Sequence, residues 1–393
     1  MESSDARRAN RAAVLGTLLA GGAASRIAVA QATGLSKATV TRVVDELVRD
    51  GLVREAGPLA GGERGRGPGR QALALRLAGE DRAVCGVDLG GTTTRFLVTD
   101  AAGRVRAWHR EPTPHETTTS ELAGWLASRV RELAGDDLVA TSVGLPGAVH
   151  PATGAVRTAP NLPQLEGTAF RHALAADLPG TTLLGNDVNA ALVGEMTAGA
   201  ARGRGSVVMI AAGTGLGAAV ALDGRPLTGR TGSVGEFGVL RHGPGTLEDA
   251  ISGGGMVRRA RALGHPVPDA ARIFAEGAPR AVLDEAREAL ATLLTAVTVA
   301  YEPEVVVLSG GVAPSFAPWL DGLRERLADV TEPPPELRPS ALGEPGGAVG
   351  AWVTALHALY RDLDVDQPDL GGVAASVLDH LDREGSHVPA PSA

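Results

Sequence analysis

A chain of 393 residues has material for two or three cores at roughly 150 residues per domain, which excludes a single small binding module. With 44% hydrophobic and 21% charged residues it is neither largely disordered nor fibrous, and its one cysteine, Cys85, excludes a disulfide framework or a multi-cysteine zinc site. The formal net charge of -8 is uneven: residues 1–80 carry 12 Lys+Arg against 8 Asp+Glu, so a basic head precedes an acidic body that would itself repel DNA.

Arg7 and Arg8, the weakly polar run Ala12 to Ala24 and then Ala28-Val29-Ala30 superficially imitate a secretory leader with a twin-arginine start. The run reads better as an amphipathic helix around Arg7 to Leu19. The later uncharged stretch Ser206 to Leu222 is broken by Gly213, Gly215 and Gly217, so no membrane span is expected from it. A cytoplasmic location is expected from the segment that follows the first helix, whose function belongs to the cytoplasm.

After the first helix, Ser25 can cap a helix over Arg26 to Thr33, Gly34 makes a turn, and Ser36 caps a third helix reaching Asp50. That is a helix-turn-helix. Val40, Val43, Val44 and Leu47 share the inward face of the third helix, leaving Ala38, Thr41, Arg42 and Asp45 outward, with Lys37 and Thr39 flanking its start. Ser36, Lys37, Ala38, Thr39, Thr41 and Arg42 are the candidate DNA contacts. The segment Gly51 to Glu55, a Gly/Arg/Pro loop over Gly61 to Arg70 and the alternation Ala72 to Arg76 read as strand, turn, strand, which makes a winged helix. Arg64, Arg66 and Arg70 on the wing can reach phosphates or a narrow minor groove. The plainer alternative is a helical protein-docking domain with a solvated basic loop. The segment Thr33 to Arg42 closely resembles the winged helix of bacterial transcription regulators.

In the body, the apolar run Val84 to Val87 enters Asp88-Leu89-Gly90-Gly91-Thr92 and a second strand leaves it. Such a turn lets backbone N-H groups and hydroxyls approach phosphate oxygens, and the aspartate can order Mg2+ through water. A second strand-turn-strand carries Gly213-Thr214-Gly215-Leu216-Gly217, and Gly310-Gly311 follows the apolar run Val305 to Leu308. Three glycine turns after apolar strands predict two similar α/β lobes around a nucleotide. Asp187 follows the strand-like run Thr181 to Leu184 and precedes a helical pattern; it is either a helix N-cap or a base that accepts a proton from a hydroxyl attacking a γ-phosphate.

These motifs together resemble the ROK family of repressors, open reading frames and sugar kinases. The resemblance covers essentially the whole chain and implies a two-lobed actin-like (ribonuclease H-like) α/β ATPase fold behind the winged helix. It implies a first phosphate motif at Asp88, Gly90, Gly91 and Thr92, a second at Gly213, Thr214 and Gly215, and an adenosine motif at Gly310-Gly311. It places Asn161, Asn186, Asp187, Glu236 and Glu248 at sugar-contacting positions, with Asp187 as catalytic base if the chain is a kinase. One departure is large. The family's zinc histidine is Val239 here, a cysteine position is Thr246, and the stretch between Gly238 and Glu248 is too short for the remaining ligands. With His242 as the one nearby ligand, zinc is expected to be absent, and a looser loop should orient the attacking hydroxyl less well.

The expected organisation is a winged helix over 1–80 and a kinase-like body over 81–393, with lobes at roughly 81–190 plus a C-terminal return and 191–310, and a disordered tail at 386–393. The function expected first is a sugar-responsive regulator, a repressor, working as a homodimer or dimer of dimers on operator DNA with a sugar or sugar-phosphate effector. Regulation needs no cofactor. The second reading is an ATP- and Mg2+-dependent kinase of a hexose or N-acetylhexosamine, and a third keeps the body as a dimerisation scaffold.

Overall fold

The computed structural model describes residues 4–58, 73–275 and 279–383. The head begins with α1 (Ser4–Gly21), whose buried Ala12, Val14, Leu15, Leu18 and Leu19 recur at helical spacing. A short β1 (Ala23–Ala24) leads to α2 (Arg26–Thr33), where the Ser25 side chain accepts the Ala28 amide and Gly34 closes the helix at φ 70°. That left-handed backbone suits glycine at a C-cap. The third helix, α3 (Lys37–Arg49), is capped by Ser36 and buries Val40, Val43, Val44 and Leu47 completely. Burying each of these aliphatics contributes about 1.5–3 kcal/mol. The wing strands β2 (Val53–Pro58) and β3 (Leu73–Leu77) pair antiparallel, and β1 adds to β3 in a three-stranded sheet. The wing tip, with Arg64, Arg66 and Arg70, and the tail expected at 386–393 lie outside the described residues.

The body continues through β4 (Ala83–Leu89), β5 (Thr93–Asp100), β6 (Val105–Pro112), α4 (Thr119–Ala134) and β7 (Leu138–Leu145). A small hairpin β8 (Ala148–Val149) and β9 (Val156–Arg157) precedes α5 (Ala169–Asp177), β10 (Thr181–Asn186) and α6 (Asp187–Ala198). Next come β11 (Val207–Ala212), β12 (Leu216–Leu222), β13 (Arg225–Pro226), a second small hairpin β14 (Arg241–His242) and β15 (Gly245–Thr246), α7 (Leu247–Ile251), α8 (Gly253–Ala262) and α9 (Ala271–Phe274). The chain closes with α10 (Arg280–Tyr301), β16 (Val305–Ser309), α11 (Leu320–Ala328), β17 (Glu336–Pro339), α12 (Gly346–Asp362) and α13 (Gly371–Arg383).

Two compact units result. The first falls within Met1–Val143, Ala169–Leu183 and Ala351–Ala393, so it holds the winged helix together with the first body lobe; the second falls within Gly144–Thr168 and Leu184–Gly350. Each body sheet has five strands, in the orders β10-β7-β4-β5-β6 and β13-β12-β11-β16-β17. In both, a glycine turn joins an antiparallel pair, β4 to β5 and β11 to β12. The second sheet is buried on both faces, as a sheet with parallel strands between helices should be. Val208 and Ile210 join the core under α7, α8 and α10, while the alternating Val207 and Met209 pack with Leu192 of α6.

Candidate functional site

On the head, the exposed face of α3 presents Lys37, Ala38, Thr41 and Arg42, with Thr39 half-buried beside them. Ser36 Oγ accepts the Thr39 amide at 3.1 Å and lies 2.9 Å from Thr39 Oγ1, fixing the first turn. Asp45 lies on the same outward face, where a carboxylate would repel DNA phosphates. Arg26 offsets it, donating to Asp45 at 2.8 Å, to Glu55 of the wing at 2.8 Å and to the Thr41 carbonyl at 3.1 Å. One guanidinium therefore ties α2, α3 and the wing together. Arg42 is held against Glu46 at 3.2 Å.

In the first body lobe, Gly90, Gly91 and Thr92 form the turn between β4 and β5. Thr113 steadies it, its hydroxyl donating to the Gly90 carbonyl at 2.7 Å and its amide to Thr92 at 3.0 Å. Asp88 faces Arg95, whose Nη1 lies 3.3 Å from Oδ2.

The other candidate nucleotide glycines, and every candidate sugar residue, lie in the second unit. The parallel register of β11 and β16 sets Ala211 opposite Ser309, so the turn Gly213 to Gly215 and the pair Gly310-Gly311 emerge at one sheet edge. Gly310 is obligatory: its φ is 89°, and a Cβ there would lie 2.4 Å from the Ala212 carbonyl oxygen. At Gly213 and Gly311 a Cβ would meet nothing within 4 Å, so packing does not demand glycine at either position. Space beside the backbone is what close approach of a phosphate needs, although the Gly213 amide itself donates to the Gly215 carbonyl at 3.0 Å.

Asp187 opens α6, but it does not cap it. The cap is Asn186, whose side chain accepts the Asn189 amide at 3.0 Å and whose Nδ2 donates to the Gly147 carbonyl at 3.2 Å. Asp187 Oδ1 accepts the Val188 amide at 2.8 Å and Asn186 Nδ2 at 3.1 Å. Of the two readings open for Asp187, capping has thus gone to its neighbour. Desolvation raises the Asp187 carboxyl above its ordinary pKa against these hydrogen bonds. Desolvation likewise raises Glu236, helped by the charges of Asp187 and Glu248. Repelling, partly desolvated carboxylates are groups that gain from sugar hydroxyl donors. Asn161 is exposed on the turn before Pro163 of the same unit.

Where the sequence implied a loose loop, the structure closes the chain by other means. Arg241 pairs with Thr246 and His242 with Gly245 in a tight hairpin. Thr246 then caps α7 in a reciprocal capping box with Asp249, its hydroxyl accepting the Asp249 amide at 3.2 Å and its amide donating to Asp249 at 3.1 Å. The hairpin and the cap thus set the start of the helix that carries Glu248, whose Oε2 accepts the Leu216 amide at 3.1 Å. No group of three or more His, Cys, Asp or Glu among the described residues is arranged to hold a metal ion.

The sequence reading missed Ser252 to Gly255. Ser252 caps α8, and the Gly253 and Gly254 amides donate to the Gly213 and Thr214 carbonyls at 2.8 and 3.2 Å, which braces the glycine turn from behind. The signal available was a serine followed by three glycines, where a Cβ on Gly255 would lie 2.3 Å from the Asp249 carbonyl oxygen. Among the described residues no helix is long and apolar enough to cross a membrane.

With this fold and these turns in place, the chain belongs to the ROK family, whose family model matches residues 84–358. The MarR family model matches residues 8–64, in accord with the winged helix. The chain is 28% identical over 301 residues to a glucokinase of Thermotoga maritima, covering 68% of this chain and 95% of that one. It is 28% identical over 245 residues to the DNA-binding transcriptional dual regulator NagC of Escherichia coli, covering 61% of this chain and 58% of that one. Among solved structures, a ROK family transcriptional regulator described as a homolog of the E. coli MLC protein superposes with a TM-score of 0.73 at 20% identity, covering 94% of this chain and 99% of that one. At that identity the match speaks for the fold, winged helix included.

Proposed function

We propose that this protein is a sugar-responsive transcription regulator, acting as a repressor. The winged helix binds operator DNA through Ser36, Lys37, Ala38, Thr39, Thr41 and Arg42, with Arg64, Arg66 and Arg70 reaching the flanking backbone. The body binds a sugar or sugar derivative through Asn161, Asn186, Asp187, Glu236 and Glu248. The observation that carries this reading is a capped recognition helix with its polar face exposed, on the same chain as a family body related to both sugar kinases and a DNA-binding regulator. Two copies on a two-fold operator would place half-sites about one helical turn apart. Selection of duplexes from a random pool by the full chain tests the head: enrichment of a two-fold site is expected, and a pool without enrichment would contradict DNA reading.

A second reading is supported by Asp187, which is free of the capping duty, and by the open glycine turns. In it, Gly213, Thr214 and Gly215 would meet ATP phosphates and Gly310-Gly311 the adenosine, while Gly90, Gly91 and Thr92 of the first unit match the family's first phosphate motif. Asp88 would hold Mg2+ through water; Mg2+ would neutralise developing phosphate charge, and Asp187 would accept the sugar hydroxyl proton. ADP release across hexoses and N-acetylhexosamines, with Asp187→Asn as control, decides whether this activity exists beside regulation.

A further inference from the structure

Arg11 lies on α1 with 0% of its side chain exposed. A buried guanidinium needs well-placed acceptors for its charge, and Arg11 has them at both terminal nitrogens while its buried Nε has none. Here the acceptors come from two distant parts of the chain. Nη2 donates to Asp50 Oδ2 at 2.6 Å and to the Leu363 carbonyl at 2.9 Å, and Nη1 reaches Glu46 Oε2 at 3.4 Å. One turn earlier, Arg7 repeats the pattern, its Nε donating to the same Glu46 oxygen at 3.0 Å and its Nη1 to Asp364 Oδ2 at 2.6 Å. Glu46 and Asp50 stand one turn apart at the end of the recognition helix, and the other Glu46 oxygen meets Arg42 of the DNA face. Burial pushes the Glu46 carboxyl up, yet hydrogen bonds from Arg7 and Arg11 and the charges of Arg7 and Arg42 outweigh it and leave the group below its ordinary value.

Leu363 and Asp364 immediately follow α12. The opposite end of α12 is locked to α6. A Cβ on Gly350 would lie 1.7 Å from the Ala190 carbonyl oxygen, and one on Gly194 would lie 2.6 Å from the Gly346 carbonyl oxygen. Two helices whose backbones touch this closely shift together, because nothing compressible separates them. α6 begins at Asp187, the carboxylate at the candidate sugar site.

We propose that Arg7, Arg11 and Glu46 are positioning residues that make the tilt of the recognition helix follow the end of α12, so that occupancy at Asp187 is felt by Arg42. The inference rests on the regulator reading and deepens it by naming the route of regulation. A shift of α6 on ligand binding is carried by the continuous α12 to Leu363 and Asp364, and from there through two guanidiniums to α3. A ligand drives such a shift only through its different affinity for the two arrangements.

The test uses the full chain, a duplex enriched by selection, and the sugar found to alter its binding. Asp364→Asn removes the charge while tolerating the local φ of 58°, and the double variant Arg7→Gln/Asp364→Asn removes both partners of a half-exposed pair without opening a cavity. Both should reduce the sugar-dependent change in operator Kd at least threefold while the sugar Kd stays within twofold. Arg26→Gln is the contrast: it touches α3 but not α12, so it should weaken operator binding with and without sugar alike. An undiminished sugar response in the double variant overturns the proposal. A sugar-free measurement keeps the two readings apart: amide exchange in α3 should be at least threefold faster in the double variant, and unchanged exchange overturns the linkage whatever the sugar does. Faster exchange in a chain whose operator Kd no sugar alters would support the linkage to α12 and contradict the sugar reading.

Discussion

Glu248 Oε2 accepts the Leu216 amide at 3.1 Å, which bonds a candidate sugar carboxylate directly to the glycine turn of the second unit. The two candidate subsites therefore share a residue. Glu248→Gln keeps an acceptor for that amide but loses the charge toward sugar hydroxyls. Charge-assisted hydrogen bonds contribute about 1.5–3 kcal/mol, so sugar affinity should fall roughly tenfold to a hundredfold at an unchanged melting temperature. Calorimetric titration that returns the parent affinity would remove Glu248 from the site.

Asp187 and Glu236 supply a pH signature. Both carboxyls titrate above their ordinary values in the folded chain, chiefly through desolvation. The folded state thus holds protons more tightly than the unfolded state, and the stabilisation is lost as pH rises from the ordinary carboxylate range through the raised values. Asp187→Asn removes its share of that slope. The variant should therefore gain melting temperature relative to the parent as pH is raised from about 4 to 7, and a constant difference across the range would contradict the assigned desolvation.

Glu46 has the opposite sign, since its folded value is lowered. Its contribution is present above the ordinary glutamate range and is lost as pH falls below it. The head should accordingly loosen first on acidification, seen as faster amide exchange in α3 than in α10; equal protection of the two helices down to pH 3 would refute this.

Arg42→Ala removes a cation from the exposed face of α3 and one partner of Glu46, which keeps Arg7 and Arg11. Operator affinity should drop by about 1–3 kcal/mol while sugar affinity holds. A gel shift identical to the parent's would take Arg42 off the reading face.

Gly310→Ala forces a side chain into a left-handed backbone at φ 89° and within 2.4 Å of a carbonyl oxygen. Destabilisation of at least about 1–3 kcal/mol is expected from the strain, whereas Gly311→Ala, with open space around its Cβ, should leave stability unchanged and weaken nucleotide binding. Equal melting temperatures for the two variants would contradict the distinction.

Much of the head was legible because its signals are local. Ser25, Gly34 and Ser36 mark caps within a few residues of what they cap, and the valine spacing of α3 fixes its inward face. The first helix runs over Ser4–Gly21 against the expected Arg7 to Leu19, and Asp5 in its first turn suits the positive end of the helix. The role of Arg7 and Arg11 could not be read from the sequence: the acceptor at Leu363 is 352 positions from Arg11. The glycine turns were legible from strand-flanking composition, whereas the choice between Asn186 and Asp187 as cap depends on which side chain reaches the Asn189 amide. The short stretch before Glu248 showed His242 as its one metal-ligand type in the sequence, and the hairpin and capping box that hold it became visible only in three dimensions.

The central claim is that sugar in the body changes DNA binding by the head. Its most direct test is fluorescence anisotropy of a selected duplex titrated with the full chain, with and without each of a panel of hexoses, N-acetylhexosamines and their phosphates. At least one sugar should change the operator Kd fivefold or more, and Glu248→Gln should raise the sugar concentration needed. An operator Kd indifferent to every sugar, with sugar-dependent ADP release that Asp187→Asn abolishes, would contradict the account and leave a kinase carrying a DNA-binding head.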